Sequence, residues 1–477
     1  MPASTKNPSY QMYYDTWQQT RDAVSGSVAI KEKRARYLPV PDSETGSEGA
    51  TNLRYANEEH KGTGTLRYRN YIKRAVYTNF TGRTKNALSG AVFRKDPEVI
   101  IPDQISYLME DATGDGLSLN QLAKDELSNI LEVGRAGFLV DYPKSAEGLS
   151  AEDVSSLELR ASIVPYTAEQ IINWKANLIA GRKLLTMVVL EEDYPSDEND
   201  EFAHDTKKQQ RILRLKEDGY CQQIYREEIL YTDEFYPTKA DGSRWMEIPF
   251  MFCGAKNNDY SVDTAPLADI AEVNLAHYRN SADYEESCFL TGQPTLFLTH
   301  SLSAEEFSEY NPNGIKLGSR AGHVLGSAGN ATLLQAQANT IVREAMNAKM
   351  AEMVAIGARI ITDRGQNETA EGARIRFASE NSVLGDVVNN LSEALYKCIK
   401  WVAEFMGVQG ECEFYLNTEF YDKSVDPQLI MSMVTLLDRE IIGEADIFQR
   451  LKAAGLIDTD RTLDMVKSER GLNNPLI

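Results

Sequence analysis

Two acidic segments have the residue types of a cation site. DATGDG, from Asp111 to Gly116, opens with the spacing of a calcium-binding loop. That loop needs a carboxylate at its twelfth position, where this chain has Leu122, and the third position is Thr113. We therefore expect a turn before a helix. The run from Glu191 to Phe202 is also acidic, but its composition is more typical of a solvated hairpin loop than of a metal site.

The sequence contains no recognisable catalytic signature. A GxxxxGK(S/T) phosphate-binding loop is absent, so ATP hydrolysis is not expected. Neither a GxSxG elbow nor an HExxH helix occurs. The five histidines lack neighbours that would complete a metal site: His60, His204, His277, His300 and His323. The expectation is a protein that is not an enzyme and that holds no metal or cofactor.

Cations and aromatic residues interleave between Leu66 and Phe93, a pattern typical of a nucleic-acid patch. The alternative is a helical segment whose aromatic side chains belong to the core and whose cations are solvated or paired. Because the whole chain is acidic, we favour the alternative. The residues concerned are Arg67, Arg69, Lys73, Arg74, Arg83 and Lys85, with Tyr68, Tyr71, Tyr77 and Phe80.

Length and composition indicate a globular protein of two or three domains. The chain has 477 residues, 42% of them hydrophobic and 25% charged. It has no run of eighteen apolar residues, and its first residues do not resemble a secretory signal.

Five cysteines without paired spacing suggest buried thiols in a reducing compartment. The net charge of −21 fits either simple solubility or an acidic bore that repels phosphate and lets DNA slide.

Residues 1–262 have the pattern of an α+β region with an antiparallel or mixed sheet. A polar segment, residues 38–64, reads as a long loop. Helices are expected at 9–23, at 118–133 with Ser118 as cap and Gly134 as stop, and at 168–178. The expected strands are RAGFLVDYP, LLTMVVLEE, QRILRLKED, CQQIYREEILY and MEIPFMFCGA.

Two long helices follow in the middle of the chain. The first is expected over 264–290, capped by Thr264 and stopped by Gly292 and Pro294, with a length of roughly 40 Å and a narrow apolar stripe. The second, over 333–356, is rich in alanine, which lets helix axes approach closely. A third helix is expected over 383–406, then the strand ECEFYLNTEFY, and helices from Asp426 onward.

The sequence resembles bacteriophage portal proteins. The resemblance is strongest in PLADIAEVNLAHYRNSADYEESCFLTGQPTL, the alanine-rich helix, and RIITDRGQNETAEGARIRFASENSVLGDVVNNLSEAL. It extends upstream through GDGLSLNQLAKDELSNILEVGRAGFLVDYP, and in all it covers most of the chain from Leu66 to Arg470. These motifs are long and composite, but they are not catalytic signatures.

The resemblance implies a mainly helical α+β fold in a dodecameric ring. It assigns residues 1–262 to an outer wing, 263–290 and 333–357 to two stem helices, and 291–332 to an α/β clip. Residues 358–425 would hold a tunnel loop, a long wing helix and a strand, and 426–477 a helical crown. A heterologous interface whose rotation closes would build such a ring.

The implied function is a channel at one capsid vertex through which DNA is packaged and ejected. Its partners would be double-stranded DNA, the terminase large subunit, the major capsid or scaffold protein, and a head-completion adaptor or tail protein. Its location would be the virion, after assembly in the host cytoplasm. The alternatives are a structural adaptor or scaffold without a channel, and an enzyme with an unrecognised site.

The resemblance also suggests functional residues. In the candidate tunnel loop the DNA-facing residues would be Arg359, Asp363, Arg364, Gln366, Asn367 and Glu371, with Arg364 contacting phosphate. The alternative is a surface loop with ordinary solvated charges. Packing between subunits in the stem would involve Leu275, Tyr278, Ala282, Ala338, Ala345 and Ala348.

Overall fold

The computed structural model describes residues 2–40, 66–143, 159–179, 181–196, 204–292, 295–299, 302–312, 328–334, 340–361 and 383–418, and from there residues 420, 437, 439, 443–453 and 461–472. The chain forms two compact units, Met1–Leu416 and Asn417–Ile477. Most of the polar segment 38–64 lies outside the described residues. Among the described helices, none has the length and apolar character of a membrane span.

Helices make up the N-terminal layer of the larger unit. They are α1 (Pro8–Ser25), α2 (Ser27–Glu32), α3 (Leu66–Arg74), α4 (Phe80–Val92) and α5 (Leu119–Val133), with short 3-10 turns at Arg34–Arg36 and Asp103–Met109. The prediction for α5 is confirmed in detail. Ser118 and Gln121 form a reciprocal capping box, and Gly134 ends the helix in the left-handed conformation, at φ +77°.

A three-stranded antiparallel sheet lies against these helices. Its order is β3-β2-β9, with β2 at Arg135–Asp141, β3 at Ser162–Thr167 and β9 at Phe250–Gly254. The central strand β2 is buried from Arg135 to Val140, as expected for a strand covered on both faces. A separate two-stranded ribbon joins β1 (Glu98–Ile100) to β12 (Glu413–Tyr415), so the expected strand ECEFYLNTEFY is much shorter than predicted.

A second sheet has five antiparallel strands in sequential order. They are β4 (Ile171–Ile179), β5 (Arg182–Pro195), β6 (Thr206–Lys216), β7 (Gly219–Arg226) and β8 (Ile229–Phe235). The expected single strand CQQIYREEILY is divided between β7 and β8 by a turn at Glu227 and Glu228. Both turn residues have positive φ, as in the type I′ turns whose backbone twist matches the right-handed twist of the flanking strands.

The predicted helix over 168–178 is wrong, because this segment is mostly strand β4. Ile171 pairs with Leu190 and Trp174 with Val188 on β5. Isoleucine and tryptophan favour a pleated surface, and an apolar run this short does not distinguish strand from helix by periodicity. The first residues of the acidic run belong to β5, and residues 197–202 of that run lie outside the described residues.

The middle of the chain contains two long helices joined through a β-hairpin. Helix α6 spans Ala268–Thr291, the hairpin pairs β10 (Thr295–Thr299) with β11 (Asn330–Leu334), and helix α8 spans Ile341–Ile361. A short helix, α7 (Ala304–Tyr310), lies between the strands in sequence. Helix α9 (Val383–Met406) follows at the expected bounds and buries a broad apolar face against β9 and β12.

The starts of both predicted stem helices require correction, whereas Gly292 ends the first of them as predicted. Thr264 does not cap α6, because the N-cap position is Leu267 and it makes no side-chain capping bond. The alanine-rich helix begins at Ile341 and not at Leu333, because Leu333 and Leu334 belong to β11. In the predicted clip, the apolar stretches IKL (Ile315 to Leu317) and HVL (His323 to Leu325) have the pattern of short strands, and both lie outside the described residues. In the smaller unit the described helices are α10 (Glu444–Ala453) and α11 (Leu463–Leu472).

Candidate assembly surface of the central helices

Helices α6 and α8 pack side by side in opposite directions. A Cβ atom at Gly357, near the end of α8, would lie 3.9 Å from Ile270 at the start of α6. Burial lowers the pKa of the His277 imidazole on α6, and the nearby positive charge of Lys349, in the middle of α8, lowers it further. The hairpin β10–β11 therefore extends from the far end of the pair, where α6 ends and α8 begins.

The first half of α6 is anchored in the core of the larger unit. Asn274 is fully buried, and its Oδ1 accepts hydrogen bonds from the Tyr77 hydroxyl, from Phe80 N and from both donors of Thr81. Ser281 Oγ donates to Val76 O and accepts from Val76 N. These contacts hold the α3–α4 connection on α6 and leave the core side of this helix fully occupied.

Leu275, Tyr278 and Ala282 were predicted to pack between subunits, and their burial does not fit that role. All three belong to a core cluster formed with residues of α2, α3 and the segments beside them. Each is buried within the single chain. A residue enclosed by its own subunit is not available to a neighbouring one. The apolar stripe on α6 is therefore a core stripe.

The basic and aromatic segment 66–93 supplies that core. Tyr68, Tyr71 and Tyr77 are buried, as the second of the two interpretations predicts. The Tyr71 hydroxyl donates to Asp283 at 2.5 Å, and Lys85 pairs with Glu132 at 3.0 Å. These three tyrosines are therefore core residues and Lys85 is paired, whereas Arg69, Lys73 and Arg83 are exposed. The side chain of Arg67 lies outside the described residues.

Arg74 fixes the second half of α6. Its guanidinium pairs with Glu286 and lies over the Phe289 ring, 4.3 Å from the centroid. The stacked guanidinium gives this contact an attraction beyond the ion pair. The side chains of Cys288, Phe289 and Leu290, near the end of α6, are exposed. The helix thus changes from a core element to a surface element along its length.

Helix α8 presents an apolar surface to solvent. Among residues 341–357, whose side chains the structure describes, only Met353 is buried. Ile341 is 70% exposed and Val354 64% exposed, and Met350 is exposed as well. Ala348, Ala351 and Ala355 lie on one stripe of this exposed face at helical spacing. Large apolar side chains and a stripe of alanines together make a surface suited to close helix packing.

The predicted stem residues on α8 fit this surface in part. Ala348 is exposed, and Ala345 is half-buried at the border of the face that packs on α6. Ala338 lies outside the described residues. The prediction that these alanines pack between subunits stays a prediction.

Comparison with known proteins gives the following similarities. A family described only as a domain of unknown function, DUF4055, matches residues 266–406, which run from just before α6 to the end of α9. No curated protein matches the chain. Solved structures similar to the chain include the virion of a native gene transfer agent particle. There the chains are 13% identical with a TM-score of 0.41, and the match covers 85% of this chain and 98% of that one.

Two further solved structures are similar. The neck of an empty gene transfer agent particle contains a chain that is 13% identical, with a TM-score of 0.41, covering 81% of this chain and 92% of that one. An HK97-family phage portal protein from Corynebacterium diphtheriae is 10% identical, with a TM-score of 0.29, covering 72% of this chain and 96% of that one.

The candidate tunnel loop is almost entirely outside the described residues. Asp363, Arg364, Gln366, Asn367 and Glu371 all fall there. Arg359 belongs to the last turns of α8, so its backbone is helical and not part of a loop. Helix α8 begins eight residues later than the helix predicted over 333–356 and ends five residues later, at Ile361, so it takes in the first residues of the predicted loop.

The remaining chemical candidates have structural roles. Asp111 accepts hydrogen bonds from the backbone N–H groups of Gly114 and Gly116, at 2.8 and 3.0 Å, which makes DATGDG a turn. Within the described residues, no group of three or more His, Cys, Asp or Glu side chains is arranged to hold a metal ion. Sequence reasoning missed Asn274, although its position three residues after Ala271 and four before Tyr278 places it on the buried stripe of α6.

Proposed function

We propose that this chain is a portal-type subunit that assembles with copies of itself into a ring around a DNA channel. The observation that carries the proposal is the exposed apolar face of α8. This helix fully buries only Met353 among its seventeen described side chains. It exposes Ile341, Met350 and Val354 beside an alanine stripe, so its outer face is suited to packing against a neighbouring subunit. Burying each large apolar side chain would contribute about 1.5–3 kcal/mol.

The hairpin between the two helices supports the same arrangement. Strands β10 and β11 pair only with each other among the described residues. A two-stranded ribbon is marginal in isolation, and its free edges favour pairing with another strand. In a ring the neighbouring hairpins supply those edges, so the tip of each subunit gains stability from the assembly.

The charge of the chain is suited to passage of DNA. At a net charge of −21, a channel wall with the average character of the chain repels phosphate instead of gripping it. By the resemblance, the ring occupies one capsid vertex of a virion. DNA passes through it during packaging and ejection, and the hairpin end receives the terminase large subunit and later an adaptor or tail protein.

Native mass spectrometry with negative-stain electron microscopy tests the proposal. Purified full-length chain should give a closed ring of about a dozen subunits, seen from above with a central hole. A small oligomer without a hole would favour the structural adaptor. A compact single subunit under every assembly condition would overturn the ring.

A further inference from the structure

The five-stranded sheet ends in two exposed edges, and one of them is strand β8. Every residue from Ile229 to Phe235 is exposed or half-buried. Ile229 is 71% exposed, and Leu230 and Tyr231 are exposed beside it. A strand edge that carries apolar side chains without a cover is a template for another strand, and proteins generally protect such edges.

The opposite edge, strand β4, is covered along only part of its length. Asn7 donates from its backbone N–H to Ile172 O at 2.9 Å and from its side chain to Trp174 O at 3.3 Å. The N-terminal segment therefore occupies the first half of this edge. From Lys175 to Ile179 the strand is exposed except for the half-buried Ala176, and Leu178 is 75% exposed.

The two edges carry opposite charge. From Glu227 to Tyr236, strand β8 and its turn contain four carboxylates and no cation: Glu227, Glu228, Asp233 and Glu234. Glu227 pairs with Lys207, Glu234 pairs with Lys216, and Glu228 accepts hydrogen bonds from Ser4, so the exposed Asp233 is the carboxylate of this edge that lies outside these pairs. From Ile171 to Leu190, strand β4 and its hairpin partner contain three cations and no carboxylate: Lys175, Arg182 and Lys183. Apolar residues on both edges are thus accompanied by complementary charges.

We propose that β8 of one copy pairs along the Lys175–Ile179 edge of β4 in the next copy, joining the sheets of neighbouring subunits. The inference rests on the proposed ring, because it names a second contact within that assembly. Two different patches at opposite edges of one sheet form a head-to-tail interface, which is the kind that closes into rings. Main-chain hydrogen bonds would supply affinity, and the charges would select this pairing over β8 with β8.

Charge reversal on each edge tests the contact with the full chain. One variant carries Asp233→Lys, which turns that charge of the β8 edge from negative to positive and leaves the basic β4 edge unchanged. The other carries Lys175→Glu with Arg182→Glu, which turns the β4 edge acidic and leaves β8 unchanged. All three positions are exposed, so the fold should be unaffected. The matched controls are Glu217→Lys in the β6–β7 turn and Lys124→Glu on α5, both exposed and away from the edges.

The readout is the protein concentration at half-assembly, measured at low salt where surface charges are least screened. Each edge variant alone should need at least a tenfold higher concentration than the controls. A 1:1 mixture of the two should recover assembly, because each acidic edge then meets a basic one. Edge variants that assemble like the controls, or a mixture that assembles no better than its parts, would overturn the edge contact and leave the ring intact. A wild-type chain that never assembles would overturn both.

Discussion

Asn274 on α6 accepts hydrogen bonds from both the backbone N–H and the hydroxyl of Thr81 on α4, at 3.2 and 3.1 Å, and both residues are fully buried. The same amide donates to Thr78 O at 2.9 Å. One side chain thereby satisfies several polar groups at the start of α4, where a helix leaves its first N–H groups without internal partners. Helix α6 is joined to the connection between α3 and α4 at this point by polar contacts and not only by packing.

Asn274→Leu should lower the free energy of unfolding by about 3 kcal/mol, because a buried polar group left without a partner costs about 1–3 kcal/mol and several lose theirs here. Urea denaturation followed by circular dichroism measures the change. Asn86→Ala, at an exposed position on α4, is the control and should change stability by less than about 0.5 kcal/mol. Equal midpoints for the two variants would show that the Asn274 contacts contribute nothing.

Glu126 should make the larger unit less stable as pH rises. Burial is the main cause that raises the pKa of this carboxyl to about 8, and its Oε2 has no hydrogen-bond partner within the part of the chain that the structure describes. The folded chain therefore holds a proton that the unfolded chain releases near pH 4.5. Between those two values the unfolded state binds fewer protons, so stability falls by up to about 1.4 kcal/mol per pH unit.

Glu126→Gln removes this titration and should flatten the profile between pH 5 and 8. Urea midpoints at pH 5.5, 6.5 and 7.5 make the comparison, with Asp125→Asn as the exposed neighbouring control. The stabilising effect of Glu126→Gln should grow with pH, while the control should follow wild type. A constant difference between Glu126→Gln and wild type would contradict a proton held at Glu126.

The sequence is sufficient where the signal is local. Ser118, Gln121 and Gly134 define both ends of α5, and the apolar periodicity of α9 gives its bounds. The sequence is insufficient where pairing with a distant segment decides whether a residue lies in a strand or in a helix. Trp174 is in a strand because β5 pairs with it, and Leu333 is in a strand because β10 does. The role of Asn274 depends on Thr78 and Thr81, almost two hundred residues away in sequence, and no local pattern records that distance.

Ala348→Trp should block ring formation without unfolding the subunit. Ala348 is exposed in the single chain, so an indole there meets solvent and not the core. In a close-packed helix seam the same indole overpacks the interface, at a cost of about 1–3 kcal/mol per subunit. Native mass spectrometry should then show a single subunit, and its far-UV circular dichroism spectrum should match that of wild type. Ala348→Ser is the control, and normal rings in the tryptophan variant would place the seam elsewhere.

Arg364→Glu should leave ring assembly intact and reduce the amount of DNA packaged. Arg364 lies outside the described residues, and its assignment to a DNA-facing loop comes from the resemblance to portal proteins. A carboxylate there would repel the phosphates that an arginine attracts. DNA content per particle is the measurement, and Gln366→Ala in the same loop is a control for loss of a neutral side chain. Mutant particles with normal DNA content would reject the contact.

Arg135 offers a test of what a buried cation does in this fold. It is fully buried between the rings of Trp174 and Phe252, with its guanidinium carbon 4.0 Å from each centroid. None of its side-chain nitrogens has a hydrogen-bond partner among the described residues. Burial lowers its pKa to about 9, while Asp259 and Asp263 favour the charged form. The aromatic contacts therefore oppose a desolvation cost that no hydrogen bond offsets.

Arg135→Met keeps a long side chain between the two rings and removes the charge. We expect its free energy of unfolding to equal that of wild type or exceed it by about 1 kcal/mol, because replacing buried charge by a packed apolar group is often neutral or stabilising. Arg135→Ala should instead lose about 3 kcal/mol, since it opens a cavity between the rings. Urea denaturation of the pair separates packing from charge. If Arg135→Met lowers the free energy of unfolding as much as Arg135→Ala does, the guanidinium makes polar contacts that an apolar side chain between the rings does not replace.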